Sequence, residues 1–583
     1  MKISNSKFIA YAITVGLFLS GCGIQKMLKK YPDVKYKVEP EVLETHGGKI
    51  KVKVSGTIPE KYFAKKAVIE FKPVLSYANG TTPLKTVYLK GEKASGEGQV
   101  INKKNGGNFE FSDVIDYKPD MNVSELKVTP VVYPFKKPEK TKVMTETKLA
   151  DGVIYTSERI GKDEIVKYID DHGYKKEEFV TKNANLYFAY NKSNLDLNLP
   201  LNKNLKHKEK MDSLLAFIQL NWKIKNFEID AWASPEGELS LNEKLSNERA
   251  KTGDNYIQKY LKDLIKNKKV KFRDIKEIPY TVNAKGEDFQ GFMKALNASN
   301  IPDKNAIRNV IESQATKAQR EQQIRNMTVI YEEIENLLAD LRRAEFNVTC
   351  YKPKRTDANI AQLSTSYPDS LTAEELLYAA TLTNNLNTKL IIYENTIKKY
   401  PSNWKAYNNA GAVALELGKL EEAQNYINQA NGLQPNNGQI LNNLGVIASW
   451  NKNFTSAKEY YEKAKAKGVN VDYNMGILAI RDGNYQNAMQ LFGNTNCTYN
   501  VALTKTLTAD YSGAISTIDC MKIKNAQTYY LLAVIGARTN NTNMLYSNLK
   551  KTIAEEPAYK SQAKEDREFI KYFANPEFQN AVQ

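Results

Sequence analysis

A glycine that returns at a nearly fixed interval limits what the C-terminal third of this chain can fold into. Gly411, Gly445 and Gly476 lie in Asn-Ala-Gly-Ala-Val-Ala, Asn-Leu-Gly-Val-Ile-Ala and Asn-Met-Gly-Ile-Leu-Ala, at spacings of 34 and 31 residues. Nine residues after each stands a large apolar residue (Leu420, Phe454, Tyr485), and twelve after each an alanine (Ala423, Ala457, Ala488). Pro401 and Pro435 punctuate the series, where a proline stops a helix. A period of this length is the mark of a two-helix unit that cannot bury its apolar face alone and must stack on its neighbours. Ala502 with Tyr511 and Ala514 reads as a shortened fourth copy, and Ala533 with Leu545 as a fifth.

These residues resemble the tetratricopeptide repeat, in which small residues let two antiparallel helices touch. The resemblance implies an all-α solenoid over residues 371–583, after a linker at 353–370, with a concave face used for gripping peptides or partner proteins. Asn408, Asn442, Asn443, Tyr473 and Asn474 fall on its inner positions. They suit polar contacts with an extended peptide, and they suit a merely solvated face equally well. Cys497 should open the first helix of the short repeat and Cys520 close its second. Those ends lie side by side in an antiparallel pair, so a disulfide between them is geometrically reasonable.

Residues 183–352 have a different rhythm. Leu186-Tyr-Phe-Ala-Tyr reads as a strand, residues 205–220 as a helix and Phe227-Glu-Ile-Asp-Ala-Trp-Ala as a second strand. A Ser234-Pro-Glu-Gly237 turn and a long helix follow, and together they imply an α/β sandwich. The stretch Ser234-x-x-Gly237-x-x-x-x-Asn242-x-x-Leu245-Ser246-x-x-Arg249-Ala250 resembles the signature of OmpA-like peptidoglycan-associated domains. Residues 186–195, Gly286-Glu287-Asp288 and residues 341–346 are similar to other parts of that family. A helical insertion at about 288–338 looks like a variant common in Bacteroidetes envelope proteins. In this family an Asp on the turn and an Arg on the helix grip the ammonium and carboxylate of diaminopimelate. Arg249 matches the Arg, Asn242 matches an orienting position, and Ser234 stands where the Asp belongs. A serine cannot neutralise an ammonium, which leaves Glu236 or Glu238 to substitute. Cys350 ends the last strand and is expected to be a buried thiol.

Residues 35–155 read as one or two antiparallel β-sandwich modules, joined to the α/β domain by a connector at 156–182. Residues 49–55 (Lys-Ile-Lys-Val-Lys-Val-Ser) alternate strictly between polar and apolar, as a strand with one buried face does.

The N-terminus carries an export signal: Lys2 and Lys7, an apolar run over residues 8–19, then Leu19-Ser20-Gly21-Cys22. About 12 apolar residues span only ~18 Å as a helix, too short for a bilayer core of ~30 Å. The last four residues resemble a bacterial lipobox, which implies cleavage after residue 21, a lipid on Cys22 and a basic tether over 22–34. Gly23 follows the cysteine with neither an inner-membrane Asp nor the acidic run of surface-exported lipoproteins. The expected location is the outer membrane, on the periplasmic face.

The fold class expected for the 583 residues is therefore multidomain: a β sandwich, an OmpA-like α/β sandwich and a repeat solenoid. Net charge is +17, but an exported lipoprotein rarely meets nucleic acid, so anionic lipid or envelope polymers are the expected counter-charges. His46, His172 and His207 lie far apart, and no HExxH, CxxC, P-loop, GxGxxG or GxSxG is present. No catalytic or metal site and no cofactor beyond the Cys22 lipid is expected. The reading that follows is a non-enzymatic periplasmic scaffold for envelope assembly or secretion, its repeats holding other envelope proteins. A peptidoglycan tether and a surface-exposed fimbrial or uptake accessory are the alternatives.

Overall fold

The computed structural model describes residues 21–583 apart from residue 331. All but the last residue of the expected leader 1–21 lies outside the described residues, as does the side chain of Cys22. The chain divides into two compact units. One runs through Asp171 and resumes at Thr383–Gln583; the other is His172–Leu382.

In the first unit, the strand Lys49–Ile58 realises the alternation of its sequence. Ile50, Val52, Val54 and Ile58 are buried while its lysines face outward. It pairs antiparallel with Gly107–Asp116 along ten residues and with Lys35–Glu39 on its other edge. Gly56 is needed here, because a Cβ on it would lie 2.1 Å from the Phe109 ring packed across it. An eight-stranded and a five-stranded sheet enclose one continuous apolar core. The sheets are not purely antiparallel: Thr147–Ile154 runs parallel to Val42–His46, and Val87–Gly91 parallel to Gln99–Ile101.

The expected basic tether is also corrected. Gly21–Lys29 is a helix, and Ile24, Met27, Tyr31 and Val34 are buried in the β core. Apolar residues at helical spacing place one face inward, and each fully buried side chain contributes about 1.5–3 kcal/mol. Its lysines sit on the outer face, which is why composition alone read as a tether.

Over residues 404–555 the first unit is a series of antiparallel helix pairs. They are Trp404–Glu416 with Leu420–Leu433, Gly438–Trp450 with Phe454–Ala466, Asp472–Arg481 with Tyr485–Phe492, Tyr499–Leu507 with Tyr511–Asp519, and Ala526–Arg538 with Thr542–Glu555. Each recurring glycine accommodates a large residue of the partner helix. A Cβ on Gly411, Gly445 or Gly476 would lie 2.5, 2.4 or 2.5 Å from Ile427, Tyr461 or Phe492. Cys497 and Cys520 form a disulfide with Cα atoms 5.1 Å apart.

The second unit holds a four-stranded sheet in the order Phe179–Tyr187, Arg343–Tyr351, Ile224–Ala233, Tyr280–Glu287; only the last pair is parallel. The helices Leu205–Gln219 and Leu239–Lys266 cover it, burying Leu214, Phe217, Ile257 and Leu261 against Phe227, Ile229 and Phe346. Cys350 is buried here, and burial pushes its thiol up to about 11. Four helices between Phe289 and Ala339 build their own core around Phe292, Leu296, Ile311 and Ile334. The expected linker 353–370 is ordered structure: Thr356 caps a helix Asp357–Ser366, Ile360 and Leu371 are buried, and Arg355 pairs with Glu375. The repeat-bearing unit therefore resumes at residue 383 rather than 371. A polar composition concealed the few apolar residues that tie this segment down.

Candidate functional site

The asparagines two residues before the recurring glycines (Asn409, Asn443 and Asn474), together with Asn500 two before Ala502, lie on the first helix of their pairs. They are buried, although nothing apolar in an amide demands it. The reason is the chain's own segment 161–169. Asn474 accepts the Ile165 N–H at 2.7 Å and donates to the Ile165 carbonyl at 3.0 Å. Asn443 does the same for Lys167 (2.7 and 2.7 Å), Asn409 for Ile169 (2.7 and 3.0 Å) and Asn500 for Gly161 (2.9 and 2.9 Å). An amide offers one acceptor and one donor side by side, the pattern that a neighbouring strand would present. Clamps at residues 165, 167 and 169 have the two-residue period of an extended chain.

A second row supports the first. Asn408 and Asn442, three residues before their glycines, donate to the Lys167 and Ile165 carbonyls at 3.0 and 2.9 Å. They also link the clamps: Asn443 donates to Asn408, and Asn474 to Asn442, at 3.1 and 3.0 Å. In the third copy Tyr473 takes that position, and it sits beside Asp163, whose carboxyl burial raises to about 6. The five inner-face residues singled out from the sequence are thus together, engaged with the chain's own connector rather than with solvent. Sequence reading missed Asn409 and Asn500, and the available signal was the asparagine preceding every copy by the same offset.

The segment is fastened at its N-terminal end as well. Thr156 donates to Glu568 at 2.6 Å, and Glu568 also accepts from Arg538, which reaches Glu44 of the β module. Arg159 pairs with Asp566 between the Tyr155 and Tyr530 rings. Midway, Glu164 accepts from Ser449 at 2.7 Å and from Trp450 at 2.6 Å. Crevices of about 480 and 400 Å³ flank the segment, one lined by Ile165, Lys167 and Tyr473, the other by Val166, Leu415 and Trp450.

In the second unit, Ser234, Glu236, Asn242 and Arg249 converge at the turn after Ile224–Ala233, and all four are buried. They serve each other and the backbone. Ser234 donates to Glu236 at 2.8 Å, and Arg342 reaches Ser234 at 3.1 Å, Glu236 at 3.0 Å and Glu335 at 2.7 Å. Asn242 donates to the Ser234 and Gly237 carbonyls. Arg249 donates to the carbonyls of Lys192 (3.0 Å), Trp232 (2.9 Å) and Ala189 (3.4 Å). Burial and then the neighbouring Arg342 charge lower the Arg249 guanidinium to about 10. Only about 50 Å³ remains open beside these residues, room for a water or two. The sequence pattern assigns Arg342 only to the last strand; its place beside Glu236 comes from the return of that strand, which no local pattern encodes.

A larger cavity of about 470 Å³ adjoins the turn, with Glu287 and Glu321 on its wall. Burial and the facing Glu321 raise the Glu287 carboxyl to about 7. Among the described residues no three His, Cys, Asp or Glu side chains are grouped to hold a metal ion, and no helix is long and apolar enough to cross a membrane.

Models of the tetratricopeptide repeat family match residues 392–425 and 438–466. The C-terminal helices are tetratricopeptide repeats. Repeats of this family indicate binding to other proteins. No curated protein matches the chain in sequence. Among solved structures, PilW, a widely conserved type IV pilus biogenesis factor, is 17% identical over 40% of this chain and 100% of its own, with a TM-score of 0.26. Pseudomonas aeruginosa pilF is 16% identical over 38% and 95%, with a TM-score of 0.25. A tetratricopeptide repeat protein from Parabacteroides merdae is 14% identical over 50% and 98%, with a TM-score of 0.26. Likeness at this level carries no functional argument.

Proposed function

We propose that this protein is a non-enzymatic scaffold, held to the outer membrane by a lipid on Cys22, facing the periplasm and using its repeats to hold partner proteins in envelope assembly or secretion. The observation that carries the scaffold reading is the repeat groove, whose inner amides bind an extended main chain through paired hydrogen bonds. Here that main chain is the connector, so the β module, the connector and the repeats present one preorganised surface to a partner. The lipobox-like Leu19-Ser20-Gly21-Cys22 supports the anchor, and the residues after it support the inward orientation.

Cross-linking of the full chain in mild detergent, read by mass spectrometry, tests the scaffold. Partners cross-linked to residues 383–583 are expected; partners confined to residues 172–382 would overturn it. Metabolic labelling with a palmitate analogue tests the anchor, with label expected on the natural chain and absent from Cys22→Ala. Protease treatment of intact cells separates the periplasmic face, where the protein survives, from surface display.

A central unit of OmpA-like type stays within this proposal, supported by its strand order and by the residues of the turn. A peptidoglycan tether is less favoured, because Ser234 and Glu236 already serve Arg342, and Arg249 faces backbone carbonyls. Sacculi sedimented with the purified protein should carry none of it down.

A further inference from the structure

The connector fills the repeat groove but leaves one of its own edges unused. In an extended chain, successive residues turn their N–H and C=O to opposite sides. The odd-numbered residues 165, 167 and 169 turn theirs to the asparagine clamps. Among the described residues no hydrogen bond reaches the main-chain N–H or C=O of Glu164, Val166 or Tyr168. Their side chains are nonetheless fixed: Glu164 on Ser449 and Trp450, Val166 in the repeat core, Tyr168 under Lys389. Ile165 is 41% exposed on the opposite side. A row of unpaired donors and acceptors on a rigidly held extended segment is what the edge of a sheet presents.

We propose that residues 164–168 are a docking edge for an extended segment of a partner protein, which adds as a strand beside the connector within the repeat groove. This rests on the scaffold reading and names how the partner is recognised. Main-chain pairing supplies the attraction, and side-chain pockets supply the choice of sequence. The crevice of about 400 Å³ is lined by Glu164 and Val166 of this edge, where an added strand would send side chains, whereas the one of about 480 Å³ is lined by Ile165, Lys167 and the Asn474 clamp. Val166, Leu415, Leu420 and Trp450 favour an apolar residue in the smaller crevice. Charges along the edge are balanced by Lys162, Asp163, Glu164 and Lys167, and both carboxylates already accept hydrogen bonds. The fitting segment is therefore uncharged, with apolar residues at alternate positions and no proline where it pairs.

The test is residue-resolved hydrogen exchange on the full chain, with and without millimolar acetyl-Thr-Val-Thr-Phe-Thr-Val-Thr-amide. The peptide should slow the amides of Glu164, Val166 and Tyr168 tenfold or more and leave those of Ile165, Lys167 and Ile169 as they were. Its fully N-methylated form should not slow them. Val166→Pro removes one edge donor without touching a clamp and should abolish the effect. Unchanged exchange at all three edge amides would overturn the proposal, as would equal protection in Val166→Pro. Edge protection that rises with chain concentration in the absence of peptide would assign the edge to a second copy and overturn the partner assignment. If cross-linking captures partners on the repeats while the edge amides stay fast in that complex, the scaffold reading stands and this one falls. If the probe pairs but no partner is captured on the repeats, the scaffold reading falls and takes the partner assignment with it.

Discussion

The repeat groove and the turn of the central unit both bury polar side chains, and they solve the problem of burial in opposite ways. The groove uses neutral amides, each turning a donor and an acceptor to the connector, which supplies the matching main chain. The turn uses charge: Arg342 between Glu236 and Glu335, and Arg249 above a ring of carbonyls. A neutral clamp can lose one member at modest cost, because its partner is a single amide group. A buried ion pair that loses one member leaves an uncompensated charge, and that costs more, about 3–5 kcal/mol against about 1–3. The groove thus holds its chain by many separable bonds, and the turn holds its geometry by charges that must stay paired.

The sharpest way to break this contrast is Arg342→Ala, which strands Glu236 in a buried site. A loss of about 3–5 kcal/mol is expected, measured by denaturant unfolding of the full chain with exchange followed in residues 224–266. A loss below 1 kcal/mol would mean that water or another donor takes the place of Arg342 at Glu236. Reducing the Cys497–Cys520 bridge, or replacing both residues with alanine, releases a 23-residue separation. It should cost about 3 kcal/mol by loop entropy, read as a lower unfolding midpoint of the repeats. Asn443→Ala removes both bonds to Lys167 and should cost about 1–3 kcal/mol, with faster exchange at Lys167. Asn443→Asp can still accept from the Lys167 N–H but cannot donate to its carbonyl, so it should fall between. Equal effects of the two would show that the acceptor contributes nothing once the donor is lost.

How much of this could be read from the sequence differs by region for physical reasons. The glycines were legible because Gly411, Gly445 and Gly476 each answer to one large residue, sixteen positions on, at Ile427, Tyr461 and Phe492. The Cys497–Cys520 disulfide is legible because the outer ends of an antiparallel helix pair lie side by side. That the groove-lining asparagines face a peptide was one of two open readings; that the peptide is the connector was not accessible, since residues 161–169 carry no local period. The helix Gly21–Lys29 was missed because its apolar face is only two turns long and its lysines dominate the composition. At the turn, Ser234 and Arg249 could be placed together by motif spacing, whereas Arg342 arrives from far along the chain.

The smallest expected effect comes from the Glu287–Glu321 pair. The Glu287 carboxyl stands at about 7 in the fold, against 4.5 for an ordinary glutamate. The folded unit therefore favours the protonated form. The margin this gives is full below about pH 4.5 and is lost as pH rises through 7. Glu321→Gln removes the facing carboxylate, so the variant should gain stability over the natural chain at pH 8 and lose that advantage towards pH 5. A pH-independent difference would show that the two carboxylates do not share a proton.

The central claim, that the connector occupies the repeat groove as a clamped extended chain, has a direct readout in its own amides. Residue-resolved hydrogen exchange across residues 161–170 of the full chain should alternate. Ile165, Lys167 and Ile169 should be protected by the asparagine clamps, and Glu164, Val166 and Tyr168 should exchange fast between them. Uniformly fast exchange along the segment would contradict the account, because it would place the connector outside the groove.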